Sequence, residues 1–352
     1  MNSYSFAQPF DAITVKFFDQ LGKKLVLHPR LRSRPEIVAL GFWLRGANVL
    51  TIKGMLQSLP NSVSTARGVV FHIAPSNVDT IFVYSWALSL LCGNANIVKL
   101  SKRSTGVVDD ILEIINEVMD SSPDFAEVKK RSSFVKLEHN SPEMKRFSDE
   151  CDLRVIWGGD NTIQTIRKSF PIRPGGLEIG FADRFSYSVI KSNFFLTLSQ
   201  EAADSAVDAF VKDSYVFDQK ACSSPRVVFF VGTEQENTNA RLLFSERVRL
   251  NLQSREITDS TATFKLKSAF EWAADGLGTV SYHGADLTTL TEVASSNTES
   301  IRRLDYGGGS FVFNNLSQLS ELKTFIRKKD QTISQLGFSA EELKSFVAII
   351  GP

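Results

Sequence analysis

A chain of 352 residues with 43% hydrophobic and 22% charged content is long enough to bury two cores and has the composition of ordinary globular protein. Its 40 basic and 39 acidic residues leave a net charge of +1, so no global field draws it to nucleic acid or an anionic membrane, and recognition by charge must be local. Three cysteines, Cys92, Cys151 and Cys222, cannot all pair and show no C-x-x-C spacing, which speaks against zinc or a thioredoxin-like couple and for a reducing cytoplasm. The first twenty residues lack a basic segment followed by an apolar one and contain Asp11, so they do not read as a secretory signal. Residues 1–59 carry moderate helical patterning and a basic patch at Lys23, Lys24, Arg30, Arg32 and Arg34. They read as a helical arm or cover whose charges form a solvated face.

From Gly68 the pattern changes. Residues 68–75 are a continuous apolar run ended by Pro75, as expected of a strand buried on both faces. A helix follows, with Ser76 or Asn77 as its cap, Asp79 at its positive end, and Ile81, Phe82, Tyr84, Ala87, Leu88 and Leu91 filling it until Gly93-Asn94 stops it. Residues 81–92 form the longest apolar run, too short to span a bilayer. Strand character returns at 95–100 and helical character at 107–119. Residues 134–137 and 153–157 supply two more strands, the second followed by Gly158-Gly159-Asp160 and a helix over 162–169, and 185–190 read as a fifth strand. This alternation predicts an α/β, doubly wound, mostly parallel sheet over residues 60–191, with ligands held beyond the carboxyl ends of the strands. Those ends hold Pro75-Ser76-Asn77, Ser101-Lys102-Arg103 and Gly158-Gly159-Asp160. No G-x-G-x-x-G follows the first strand, so that motif places no nucleotide. Residues 192–352 mix helix, strand and polar loops and read as a second, α/β catalytic domain.

Cys222 stands between a helical pattern over 201–217 and a β-branched and aromatic run over 226–231. An isolated cysteine is more often a small buried hydrophobe. A thiol flanked by Ala221, Ser223 and Ser224 on a connection between rigid elements reads instead as a nucleophile. His72, inside an apolar strand, is a satisfied core residue or a neighbour of the site. His28, His139 and His283 show no metal spacing, so no metal is predicted. Gly307-Gly308-Gly309 reads as a flexible joint first and a substrate or cofactor loop second, and core filling accounts for most of the 27 phenylalanines.

Five stretches carry a family resemblance: His72-Ile73-Ala74-Pro75-Ser76-Asn77-Val78, Gly93-Asn94-Ala95-Asn96-Ile97-Val98, Trp157-Gly158-Gly159-Asp160, Asp183-Arg184-Phe185-Ser186 and Ala221-Cys222-Ser223-Ser224-Pro225. Pro75-Ser76-Asn77, the run from Gly93 to Lys99, Gly158-Gly159 and Asp218-Gln219-Lys220-Ala221-Cys222 resemble, in order and rough spacing, landmarks of the aldehyde dehydrogenase superfamily, and within it the five stretches resemble the LuxC-type acyl-CoA reductases. The likeness covers about residues 60–330. It implies an aldehyde-dehydrogenase-like fold and NADPH-dependent reduction of an acyl-CoA, or another acyl thioester, to an aldehyde through an acyl-Cys222 intermediate. Asn77 then resembles the oxyanion-hole amide, beside the Cys222 N–H, and helix capping is compatible with that role. Lys99 resembles the lysine that reaches the adenosine ribose. Where NAD-preferring members commonly place a glutamate, Ser101-Lys102-Arg103 puts cations that favour NADPH, unless these simply begin a solvated loop. Gly158 and Gly159 allow close cofactor approach or merely turn the chain. Glu178, in Gly176-Leu177-Glu178-Ile179-Gly180, corresponds to the superfamily glutamate and is the candidate general base, although the residues after it depart from the family pattern. The resemblance also implies a homo-oligomer, an acyl-protein synthetase or acyl carrier protein as partner, a cytoplasmic location, and members that run longer at both ends, so this chain is expected to be short at its C-terminus. Two alternatives stay open: an aldehyde dehydrogenase working oxidatively, with Glu178 activating water, and a non-catalytic dehydrogenase-like scaffold.

Overall fold

Unbroken apolar runs become central strands because both of their faces must be covered, and the fold is built on that rule twice. The computed structural model describes residues 4–57, 62–75, 78–102, 106–138, 140–253, 255, 259–274, 280–283, 290–294 and 298–351. It divides between Asp183 and Arg184 into two compact units.

The first unit opens with helices α1 (Ala12–Leu27), α2 (Pro35–Trp43) and α3 (Gly46–Gln57). It continues with β1 (Val69–Ile73), α4 (Ile81–Leu91), β2 (Ala95–Leu100), α5 (Gly106–Asp120), α6 (Ala126–Lys130), β3 (Ser132–Lys136), α7 (Pro142–Glu150), β4 (Leu153–Trp157), α8 (Asp160–Ser169) and β5 (Leu177–Phe181). The strands pair in the order β3-β2-β1-β4-β5, every pair parallel. Every residue of β1 and β2 is buried, whereas no residue of the edge strands β3 and β5 is fully buried. Helix α1 sets Phe17 and Phe18 edge-on to Trp86 of α4, with ring centroids 6.0 and 5.3 Å apart. The residues expected as an arm therefore share one core with α4 and α5. Its basic patch meets acids of α5: Lys24 pairs with Glu117, and Arg30 with Asp110 and Glu113. These exposed pairs are a solvated face that contributes little stability.

Helix α4 begins at Ile81 with Thr80 in the cap position, and Ser76 and Asn77, the caps expected from the sequence, lie outside the described residues. One expectation is corrected here. The strand expected at 185–190 does not close the first sheet. That place is taken by β5, whose mixed, glycine-containing sequence on an edge carries little strand signal.

The second unit runs β6 (Phe185–Lys191), α9 (Ser192–Thr197), α10 (Gln200–Tyr215), β7 (Val227–Val231), α11 (Glu234–Asn251), α12 (Asp259–Ala274), β8 (Val280–His283), β9 (Leu290–Ala294), α13 (Thr298–Arg303), β10 (Ser310–Leu316), β11 (Asp330–Leu336) and α14 (Ala340–Ile350). Its strand order is β11-β6-β7-β10-β9-β8, parallel except for the β8–β9 pair. Phenylalanine fills both faces, with Phe210, Phe230, Phe244 and Phe313 in one cluster and Phe185, Phe229 and Phe325 in the other. Among the described residues no helix is long and apolar enough to cross a membrane.

Candidate active site

In the second unit, the chain leaves α10 at Tyr215 and enters β7 at Val227 through a turn that carries Cys222. Asp218 and Gln219 adopt left-handed backbone there, with φ of 48° and 63°, rare for residues that bear a Cβ. The surroundings hold them. The buried Gln219 amide donates from Nε2 to the Pro225 and Ser310 carbonyls, each at 2.8 Å, and its Oε1 accepts the Ser310 N–H at 3.0 Å. The Asp218 carboxylate accepts from Arg255 at 2.7 Å, and its carbonyl accepts from the Gly308 N–H at 2.9 Å. Ser224 donates to the Asp213 carbonyl and Ser186 to the Cys222 carbonyl, both at 2.7 Å.

The three cysteines differ. Burial pushes the Cys151 thiol up to about 11 and also raises that of Cys92, whereas Cys222 is exposed. Among the described residues the Cys222 N–H meets no acceptor. Gly308 and Gly309 take φ of 60° and 85°, and a Cβ on Gly309 would run into the Tyr215 hydroxyl. The glycine run thus serves close packing beside the Cys222 turn, not only a joint.

In the first unit, parallel pairing in register sets the carboxyl ends of β1, β2 and β4 along one edge. That edge brings together Lys99, Ser101, Lys102, Gly158 and Gly159. Lys99 is 1% exposed, and burial lowers its ammonium pKa against the opposing charge of Glu138. Ser101 is half-buried and Lys102 exposed. A Cβ on Gly158 would press on Thr162 at 3.2 Å, so this glycine serves the turn. One on Gly159, at the cap of α8, would meet none of the described residues within 4 Å. Open space at a helix N-terminus, one strand from β1 and two from a lysine, fits the pyrophosphate and ribose of a nicotinamide dinucleotide. Asn77 and Arg103, adjacent in sequence to this edge, lie outside the described residues, as does His139.

Glu178 is not brought to that edge. It pairs in register with Arg154, near the amino ends of β4 and β5, and its carboxylate is gripped by Arg154, including an Nε bond at 2.9 Å, and by Arg167 at 2.5 Å. Partial burial alone would raise this carboxyl, but the bonds from Arg167 and Arg154 outweigh it and hold the pKa below the usual glutamate range. A carboxylate so held is a weak proton acceptor.

The sequence did not show what surrounds His72. Its Nδ1 meets Ser85 Oγ at 2.8 Å and its Nε2 meets Asn96 Oδ1 at 3.0 Å. The Asn96 amide nitrogen donates to the Asn94 carbonyl, which turns its oxygen to the ring and assigns the proton to Nε2. Ser85 in turn accepts from Trp157 Nε1 at 3.1 Å, and Trp157 stacks on Phe181 with centroids 4.0 Å apart. His72 is a satisfied core histidine. Among the described residues no three His, Cys, Asp or Glu side chains form a group that could hold a metal ion.

A family model described as acyl-CoA reductase (LuxC) matches residues 61–265. Curated relatives named long-chain acyl-protein thioester reductase, from Photorhabdus laumondii and Aliivibrio fischeri, are each 23% identical, over 206 and 207 residues. Each match covers 58% of this chain but only 39% and 40% of the relatives' own length. The crystal structure of an NAD-dependent benzaldehyde dehydrogenase from Corynebacterium glutamicum matches with a TM-score of 0.68 at 15% identity, covering 96% of this chain and 78% of that one. The fold is that of the aldehyde dehydrogenases.

Proposed function

The chain belongs to the LuxC acyl-CoA reductase family, and on that premise we propose that it reduces an acyl thioester to an aldehyde through an acyl group held on Cys222, with NADPH as reductant. The observation that carries this reading is an exposed cysteine, with its N–H unengaged among the described residues, on a turn fixed by buried hydrogen bonds. In this reading the Cys222 thiolate attacks the thioester carbonyl carbon. The new C–S bond forms as the bond to the carrier sulfur breaks, and the departing thiolate takes a proton from solvent. The Cys222 N–H holds the oxyanion, with Asn77 as its second donor. A reduced nicotinamide, when bound, supplies the hydride. Lys99 and Ser101 would hold its ribose, Gly158 and Gly159 would leave room for its pyrophosphate, and Lys102 with Arg103 would attract a 2′-phosphate.

Hydrolysis of the same acyl group, the oxidative alternative, needs a base to activate water. Glu178 is clamped by two arginines, which favours reduction over hydrolysis and assigns this glutamate to the fold. The names of the curated relatives support an acyl group carried by a protein, and the family description supports one carried by coenzyme A. The test is the intact mass of the chain after incubation with acyl-CoA thioesters of graded length, without cofactor. The expected result is a gain of one acyl group, lost in Cys222→Ala. An unchanged mass with every thioester, or a gain that persists in Cys222→Ala, would contradict the reading.

A further inference from the structure

Left-handed backbone at two consecutive residues that bear a Cβ persists only where the surroundings impose it, and such positions gather at functional sites. Asp218 and Gln219 are such a pair, and Gln219 lies three residues ahead of Cys222. The Gln219 side chain is 1% exposed, and both of its amide N–H groups and its oxygen are engaged. One partner, Pro225, closes the Cys222 turn, and the other, Ser310, opens β10. A single side chain thus ties the front of the turn to its back and to the neighbouring strand. Asp218, held by Arg255 and Gly308, fixes the same corner from the other side.

We propose that Gln219 is the positioning residue for Cys222: its amide fixes the turn so that the Sγ and the N–H of Cys222 address one acyl carbonyl together. The inference rests on the acyl-thioester reading above and extends it to a residue that touches no substrate. Two reactions of the same sulfur separate alignment from access. Acylation passes through a tetrahedral oxyanion and needs both groups aligned. Alkylation by iodoacetamide forms a C–S bond at a saturated carbon as the C–I bond breaks and iodide leaves, so it needs only an accessible thiolate.

The experiment measures both rates at Cys222, by mass of the modified peptide, in the full chain and in Gln219→Glu and Gln219→Gly, with thermal unfolding as the check of fold. Glutamate keeps the shape but, ionised, cannot donate to the two carbonyls. Glycine accepts the left-handed backbone without strain and lacks the bridge. In the folded variants acylation by an acyl-CoA is expected to slow about 10-fold to 100-fold, while alkylation stays within about threefold of the parent rate. Acylation at the parent rate in folded variants, or acylation and alkylation falling by the same factor, overturns the inference and leaves the proposed function standing. A parent chain that no thioester acylates overturns the proposed function, and this inference with it.

Discussion

Cys222 and Glu178 are the two residues on which the proposed chemistry turns, and their surroundings differ in kind. Cys222 is exposed on a held turn, whereas the Glu178 carboxylate is 12% exposed and engaged by two guanidinium groups, one of them the 1%-exposed Arg154. Removing one partner of a buried ion pair strands the other charge, so Glu178→Gln is expected to cost about 3–5 kcal/mol of stability. The folded fraction should keep its rate of aldehyde formation. Urea unfolding and initial rates on the same sample check both, and a stable variant with a rate lowered a hundredfold would return Glu178 to catalysis. The sequence alone singles out Cys222, a lone cysteine between a helical and a strand pattern, and the structure places it exposed on the turn between α10 and β7. The clamp on Glu178 was not legible in the sequence, because Arg154 and Arg167 reach it through strand pairing and helix packing that no local pattern records.

At the scale of elements, the fully buried strands were the readable ones. β1 and β7 follow from short apolar runs, β2 and β4 from apolar stretches interrupted by a polar or charged residue, and α5, α8 and α10 from helical spacing between turn residues. Partner choice was less legible. Residues 185–190 read correctly as a strand, yet β6 lies between β7 and β11, and its pairing with a strand more than a hundred residues away leaves no trace nearby. The hydrogen-bonded group of His72, Asn96, Ser85 and Trp157 joins β1, β2, α4 and β4, and it gives the first unit a specific pH dependence. Burial pushes the imidazole from 6.5 down to about 4, against the bond with Asn96, which favours its charged form. Between those values the unfolded chain binds a proton that the folded chain refuses. The stability present above the unfolded value is therefore lost as pH falls towards the folded one, by about 3 kcal/mol in all. Urea midpoints of the parent should fall more steeply from pH 7 to pH 5 than those of His72→Gln. Equal slopes would contradict a neutral buried ring.

For the whole molecule, the sequence suggests a cofactor domain ending near residue 191 and a second α/β domain after it, and the chain divides into two compact units between Asp183 and Arg184, just ahead of β6. The candidate residues divide accordingly, with Lys99, Ser101, Lys102, Gly158 and Gly159 in the first unit and Cys222 in the second. In the proposed chemistry acylation draws on Cys222, and release of the aldehyde draws in addition on the residues proposed to hold the nicotinamide. The most direct measurement is therefore a single turnover: chain carrying an acyl group on Cys222 is freed of thioester, mixed with NADPH or NADH, and the released product is identified. The account predicts one aldehyde per acyl group and faster discharge by NADPH than by NADH. Release as the carboxylic acid, or an acyl group that neither nucleotide discharges, would contradict it.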